Sequence, residues 1–170
     1  MKVSAAAGDI DQHDTPTVDL LEIFATAASF GHTASQRGQK QVARRARAVL
    51  AQPELADGPL TNASMMRGQI AVVRRGDKTF VQKARRVQAA GATGLIVINN
   101  SEAPCLPVAN DTDRGDDIII DVVCVRHSDG ESLLQTLGFK NCLVTLTMGP
   151  WASATRVSEG MPPHRSPEVN

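Results

Sequence analysis

Tyrosine is absent and tryptophan occurs once, so aromatic residues make up only 3% of the 170 residues. That scarcity excludes a surface of stacked aromatics for single-stranded nucleic acid. It also leaves the core to Val, Ile, Leu and Ala. No apolar run approaches the roughly 20 residues of a membrane-spanning helix. The opening stretch MKVSAAAGDIDQHD is interrupted by Asp9 before it attains the ~7–15 apolar residues of a secretory leader. On that ground alone the chain is expected to stay in the cytoplasm. Cysteine is scarce too: Cys105, Cys124 and Cys142 make neither a CxxC pair nor a zinc spacing. Their odd number argues against a disulfide framework. Cys124 and Cys142 fall in apolar runs that suit small buried thiols.

Net charge is zero, yet its distribution is uneven. From Arg37 to Arg86 twelve Lys/Arg face three acids, whereas from Glu102 to Glu131 eight acids face two arginines. Solvated faces that also attract one another account for this pattern more simply than a charged partner does. Apolar residues reach 42%, enough for one ordinary globular domain. Residues 1–16 read as a frayed polar tail, 17–150 as the domain, and the Pro-rich 151–170 as a second tail.

Within the domain, residues 17–31 read as a strand closed by Gly31. QVARRARAVLAQP is ambiguous, since Ala and Arg favour helix while Val42, Ala46, Ala48 and Leu50 alternate with period two. IAVVR (70–74) and GLIVI (94–98) are buried-strand runs. Between them Thr79 and Gln82 predict a capping box, Phe80, Ala84, Val87 and Ala90 an apolar stripe, and Gly91 a helix stop. Residues 70–98 are therefore a βαβ crossover onto a parallel pair. After a long polar loop, DIIIDVVCV reads as a central strand. Ser128 with Glu131 predicts a second capping box, Leu133, Leu134 and Leu137 a helix face with Gly138 at its end, and CLVTLTM a last strand. The fold class is α/β, with a curved, partly mixed sheet.

The blocks FGH, LAQPELADGPLTN, GQIAVVRRGDKTFVQKARRVQAAGATGLIVINN and DVVCVRHSDGESLLQTL stand in one order along residues 18 to 148. Together they resemble the protease-associated (PA) domain family. The most specific positions are Ile70, Ala71, Val73, Arg75, Gly76, Phe80, Lys83, Gln88, Gly91 and Ala92. The resemblance implies an open β-barrel-like sheet flanked by helices, with no catalysis and no cofactor of its own. PA domains serve as lids or recruitment modules in subtilisin-like proteases, zinc aminopeptidases, vacuolar sorting receptors and membrane-bound ubiquitin ligases, and occur as small secreted proteins. By the same resemblance the turn after IAVVR contacts peptide ligands, with Arg75 foremost. Many family members carry a disulfide between that turn and the segment before PLTN. Here Lys78 and Asp57-Gly58-Pro59 occupy those places, as a reducing compartment would tolerate, although the family is mostly luminal or extracellular.

The chemistry in the residues points the same way. His13, His32, His127 and His164 include two in the tails, and no GxSxG elbow accompanies Ser128. No catalytic set and no metal site is assigned. The rival reading is a hydrolase or metal-binding protein that uses the acidic loop 111–117 with His127. An EF-hand would want Glu where Val122 stands, however. Asp9, Asp11, His13 and Asp14 are read as an acidic tail rather than as ligands. Lys83, Arg85 and Arg86 are expected on a solvated helix face and not on nucleic acid. Asn62, Asn99 and Asn110 each begin a glycosylation sequon.

Arg75-Gly76-Asp77 is the adhesion tripeptide in sequence only, because it lies where a strand becomes a helix and not at a hairpin tip. Gly76 is expected to serve a tight turn. The candidate binding residues are Arg75, Gly76, Asp77, Lys78, Asn99 and Asn100. Their partner is a protein or peptide that offers an acidic side chain or a carboxylate end to Arg75, Lys78 and the helix N-terminus. In the competing arrangement Asp77 caps that helix itself.

Overall fold

The computed structural model describes residues 2–7, 19–31, 42–137 and 143–148. In chain order the elements are β1 (Lys2–Ala7), β2 (Asp19–Phe24), β3 (Thr26–Ala27), β4 (Val42–Leu50), β5 (Ile70–Arg74), α1 (Phe80–Ala89), β6 (Gly94–Ile98), β7 (Asp121–Val125), α2 (His127–Leu137) and β8 (Leu143–Met148). The strands form one sheet in the order β2-β1-β8-β4-β5-β6-β7-β3. Its two terminal strands, β2 and β3, are separated in the chain by Ala25 alone. The segment 19–27 therefore pairs with β1 along its first part and with β7 at its end, and the sheet closes on itself.

β4 performs the complementary exchange on the opposite side. Residues 42–47 pair antiparallel with β8, and Ala48, Val49 and Leu50 pair parallel with β5. β5, β6 and β7 are parallel, with Val72 opposite Ile96 and Ile96 opposite Val123. These three strands are buried on both faces, which explains why their sequences are nearly continuous apolar runs. One face packs Ala71, Val73, Leu95, Val97, Val122 and Cys124 with Val81, Ala84 and Val87 of α1. The other turns Ile70, Val72, Ile96, Ile98, Val123 and Val125 inward to meet Val3, Ile23, Ala25 and Leu133 of α2. Period two in the strands and the helical stripe of α1 thus divide the core into two layers.

α1 forms as its sequence requires. Thr79 Oγ1 accepts the Gln82 N–H at 3.1 Å, and Gln82 Oε1 accepts the Thr79 N–H at 3.2 Å. Gly91 stops the helix with φ +86°. Several expectations are corrected. Lys2–Ala7, read as part of a frayed tail, is a strand between β2 and β8, because its backbone completes both ladders. The ambiguous 42–50 segment is a strand, its period-two pattern prevailing over Ala/Arg helix propensity through pairing on both edges. The predicted strand at 117–125 starts only at Asp121. The Ser128–Glu131 box does not form. α2 begins at His127, and the Glu102 carboxylate accepts both the Ser128 N–H (2.8 Å) and its hydroxyl (2.7 Å). Asp9, Asp11, His13, Asp14, His32, Gly138, Cys142, His164 and the tail 151–170 lie outside the described residues.

The cysteines differ as well. Cys105 and Cys124 form a disulfide with Cα atoms 5.8 Å apart, which fastens the 99–117 loop to β7. The buried-thiol reading of Cys124 is thereby overturned, and with it the expectation that no bridge forms. Its physical reason is that Cys105 and Cys124 enter the same core layer, where their side chains meet.

Candidate functional site

β5 and α1 position the predicted site. After Arg74 the strand direction persists for one residue, since the Arg75 N–H donates to Ile98 O at 2.8 Å. The chain then turns through Gly76, Asp77 and Lys78, all exposed, into Thr79. Gly76 does not adopt a positive φ, so a tight turn is not its reason. A Cβ there would stand 2.7 Å from Leu55 Cδ2, so the Leu55 side chain, which packs close against Gly76, would have to shift to admit a side chain. The 52–57 segment is held from below. Lys83 Nζ donates to Leu55 O and an Arg86 guanidinium N–H to Ala56 O, while Ala56 carries φ 46°.

Lys83 is fully buried, contrary to the solvated face expected for it. Desolvation pushes its ammonium pKa below the ordinary lysine value, with Asp57 and Asp77 opposing that shift. The helical stripe hid this role, because Lys83 snorkels its polar end to one carbonyl while its stem packs in the core.

The two adjacent arginines divide their tasks. Arg74 bonds Glu54 through Nε at 2.6 Å and Glu131 through both terminal guanidinium nitrogens, so β5, the 52–57 segment and α2 are clamped together. Glu131 is thereby held below the usual carboxylate range. Arg75 is exposed. Its Nη1 donates to Asn99 Oδ1 at 2.9 Å, and its guanidinium lies 5.5 Å from the centroid of the Phe80 ring. Asn99, 2% exposed, spends its own Nδ2 on Ser101 Oγ (3.2 Å) and Ala103 O (2.9 Å). Its carbonyl faces His127 Nδ1 at 3.3 Å. Asn99 is therefore a positioning group for Arg75 and not a free contact, while Asn100 is exposed. The other guanidinium donors of Arg75 have no partner among the described residues.

Asp77 makes no cap among the described residues; Thr79 and Gln82 hold that role. Lys78 joins Gln82, Arg85, Arg86 and Ala89 around a shallow groove of about 390 Å³ along α1. The structure brings Arg75 and Asn99 together, as expected from their positions. Phe80, which supports the guanidinium, was visible in the sequence only as a member of the apolar stripe. A larger cleft of about 750 Å³, between 29–31 and 109–118, includes none of the predicted site residues. Its lining includes Phe30, Ile118, Asp111, Arg114 and Asp116.

Two of the four acids of the rival reading, Asp113 and Asp117, are engaged by Arg85, while Asp111 and Asp116 line the larger cleft. Arg85 holds Asp113 through two bonds (3.1 and 2.9 Å) and Asp117 through two more (both 2.6 Å). Among the described residues no three His, Cys, Asp or Glu side chains gather as metal ligands do. No helix among the described residues is long and apolar enough to cross a membrane.

A closed mixed sheet with a βαβ unit on one side and a second helix on the other defines an α/β-barrel domain. The PA domain family model matches residues 27–133, more than half of the chain, and the chain belongs to that family. It is 34% identical over 131 residues to ER degradation-enhancing alpha-mannosidase-like protein 3 of Xenopus laevis, covering 72% of this chain and 14% of that one. Aminopeptidase YwaD of Bacillus subtilis (strain 168) is 39% identical over 71 residues, 41% of this chain and 15% of the other. An aminopeptidase structure from Aneurinibacillus sp. strain AM-1 superposes with TM-score 0.52 at 15% identity, over 87% of this chain and 30% of that one, which shows the fold alone. The chain thus spans under a third of each of these relatives.

Proposed function

We propose that this domain is a non-catalytic recognition module that binds a protein or peptide through a carboxylate received by Arg75. The observation that carries the reading is the state of that side chain: exposed, oriented by buried Asn99, backed by Phe80, with guanidinium donors to spare. A fork held in this way loses little freedom when it closes on a planar carboxylate. Lys78 adds charge beside it, and two of the four leading amides of α1 are not used by the Thr79–Gln82 box. The family's presence as a small part of mannosidase-like and aminopeptidase chains supports an accessory role over a catalytic one.

Peptides selected by display against the full chain supply the test, with affinities read by calorimetry. Loss of a charge-assisted hydrogen bond costs about 1.5–3 kcal/mol, so Arg75→Ala is expected to weaken acidic or carboxylate-ended binders by roughly ten- to a hundred-fold. Arg75→Lys recovers only part of this, since an ammonium cannot grip bidentately. Binders indifferent to both changes would place recognition elsewhere on the domain.

A further inference from the structure

Three asparagines stand in N-x-Ser/Thr sequons, and the fold treats them differently. Asn62 is 8% exposed; its Nδ2 donates to Leu50 O at 2.8 Å and its Oδ1 accepts the Gln52 N–H at 3.0 Å. Asn99 is 2% exposed, and its Nδ2 is committed to Ser101 and Ala103. A sugar on either nitrogen would have to displace these bonds and force a path through packed chain.

Asn110 differs on each count. It is exposed, and it starts a turn in which its Oδ1 accepts the Thr112 N–H (3.1 Å), the Thr112 hydroxyl (2.9 Å) and the Asp113 N–H (2.7 Å). Backbone N–H groups can only donate, so the atom facing them must be the oxygen. The amide nitrogen therefore points away from the turn, with no partner among the described residues. The hydroxyl of Thr112 bonds the same amide, joining the first and third sequon side chains.

A second observation concerns the compartment. The Cys105–Cys124 disulfide closes the loop that carries Asn110, and such bridges persist in oxidising surroundings, where sequons are also modified.

We propose that Asn110 is an N-glycosylation site and that Asn62 and Asn99 are not. In the reaction Asn110 Nδ2 bonds to the anomeric carbon of a lipid-pyrophosphate-linked oligosaccharide. The carbon–oxygen bond to pyrophosphate breaks, the lipid pyrophosphate leaves with the electron pair, and the amide gives up one proton. The glycan then stands at the rim of the 29–31/109–118 cleft, which Asn110 helps to line. It lies on a loop held to α1 by Arg85.

The experiment uses the full chain, tagged and isolated from its own cells. Peptide mapping before and after treatment with an amidase that cleaves the glycan–asparagine bond reads each sequon separately. One glycan is expected, on the peptide containing Asn110, and its removal leaves an aspartate at that position. Asn110→Gln and Thr112→Ala should each abolish the mobility shift, and Thr112→Ser should retain it. An unmodified Asn110 peptide, or a glycan on Asn62 or Asn99, overturns the proposal. Peptide affinity of the glycosylated and enzymatically stripped chains is measured alongside, so the Arg75 reading stands or falls separately.

Discussion

Gly130, Gly76 and Gly58 differ in how closely their neighbours approach. Gly130 lies in α2 directly over β6, where a Cβ would fall inside the envelope of Ile98 Cγ2 and 2.7 Å from its Cγ1. Ile98 is 1% exposed and branched at Cβ, so it cannot yield by rotating into free space. Gly130→Ala must push α2 off the sheet, and such overpacking costs about 1–3 kcal/mol. A domain of this size loses roughly 2–4 °C of Tm per kcal/mol. A fall of several degrees in calorimetry is therefore expected. Gly58→Ala is the control: nothing lies within 4 Å of its added methyl and its Tm should hold. An unaltered Tm for Gly130→Ala would mean that α2 does not rest on Ile98. Gly76 is the milder case, since the atom it avoids is the end of a flexible Leu55 side chain.

At the scale of elements, α1 and the acidic loop form one electrostatic unit. Arg85 hydrogen bonds hold the carboxyls of both Asp113 and Asp117 below the ordinary aspartate range. The sign follows from linkage: these groups contribute stability above the unfolded aspartate pKa, and that contribution is lost as pH falls through the depressed folded values. The pairs are exposed, so the effect on global stability is small. Carboxyl-carbon NMR reads it directly instead. Wild-type Asp113 and Asp117 should titrate on the acid side of a normal aspartate, and Arg85→Gln should return both upward. Titration curves that Arg85→Gln leaves in place would dissolve the unit.

The sequence made part of this unit legible. Its charge blocks of opposite sign predicted mutual attraction, and the period of α1 predicted Ala84 and Val87 on the buried face. Of Lys83, Arg85 and Arg86, expected on the wet face, only Arg85 is exposed. It did not reveal Lys83 as a buried donor or Glu102 as the cap of α2, because both depend on loop carbonyls and carboxylates brought near by tertiary folding. The Cys105–Cys124 bridge was hidden for the same reason. At the site, Arg75 and Asn99 were legible as ends of neighbouring parallel strands, whereas the Phe80 support was not.

The whole molecule is a closed sheet whose closure rests on unequal joints. β6 lies between β5 and β7, with five paired residues on each side and both faces buried. The seam at β3 is shorter: Thr26 and Ala27 pair with Cys124 and Val123, and the Ala28 N–H adds one bond to Val122 O at 2.9 Å. Strands β1 and β8 come from opposite ends of the described chain, so no local pattern could announce their pairing, and β1 looked like a tail. The parallel centre, by contrast, was readable from IAVVR and GLIVI because burial on both faces writes itself as continuous Val/Ile. This inequality predicts how the molecule opens. Native-state hydrogen exchange should find the β6 amides exchanging only with global unfolding. Amides at the β3 seam and in the β1–β2 ladder should exchange through a smaller opening, at lower denaturant and with a lower slope. Opening there frees the hairpin while the β5–β6–β7 layer and both helices against it stay packed. The Arg75–Asn99 bond spans only β5 and β6 and so should survive that first opening. Seam and centre amides that exchange together with one free energy would show that the barrel opens as a single cooperative body.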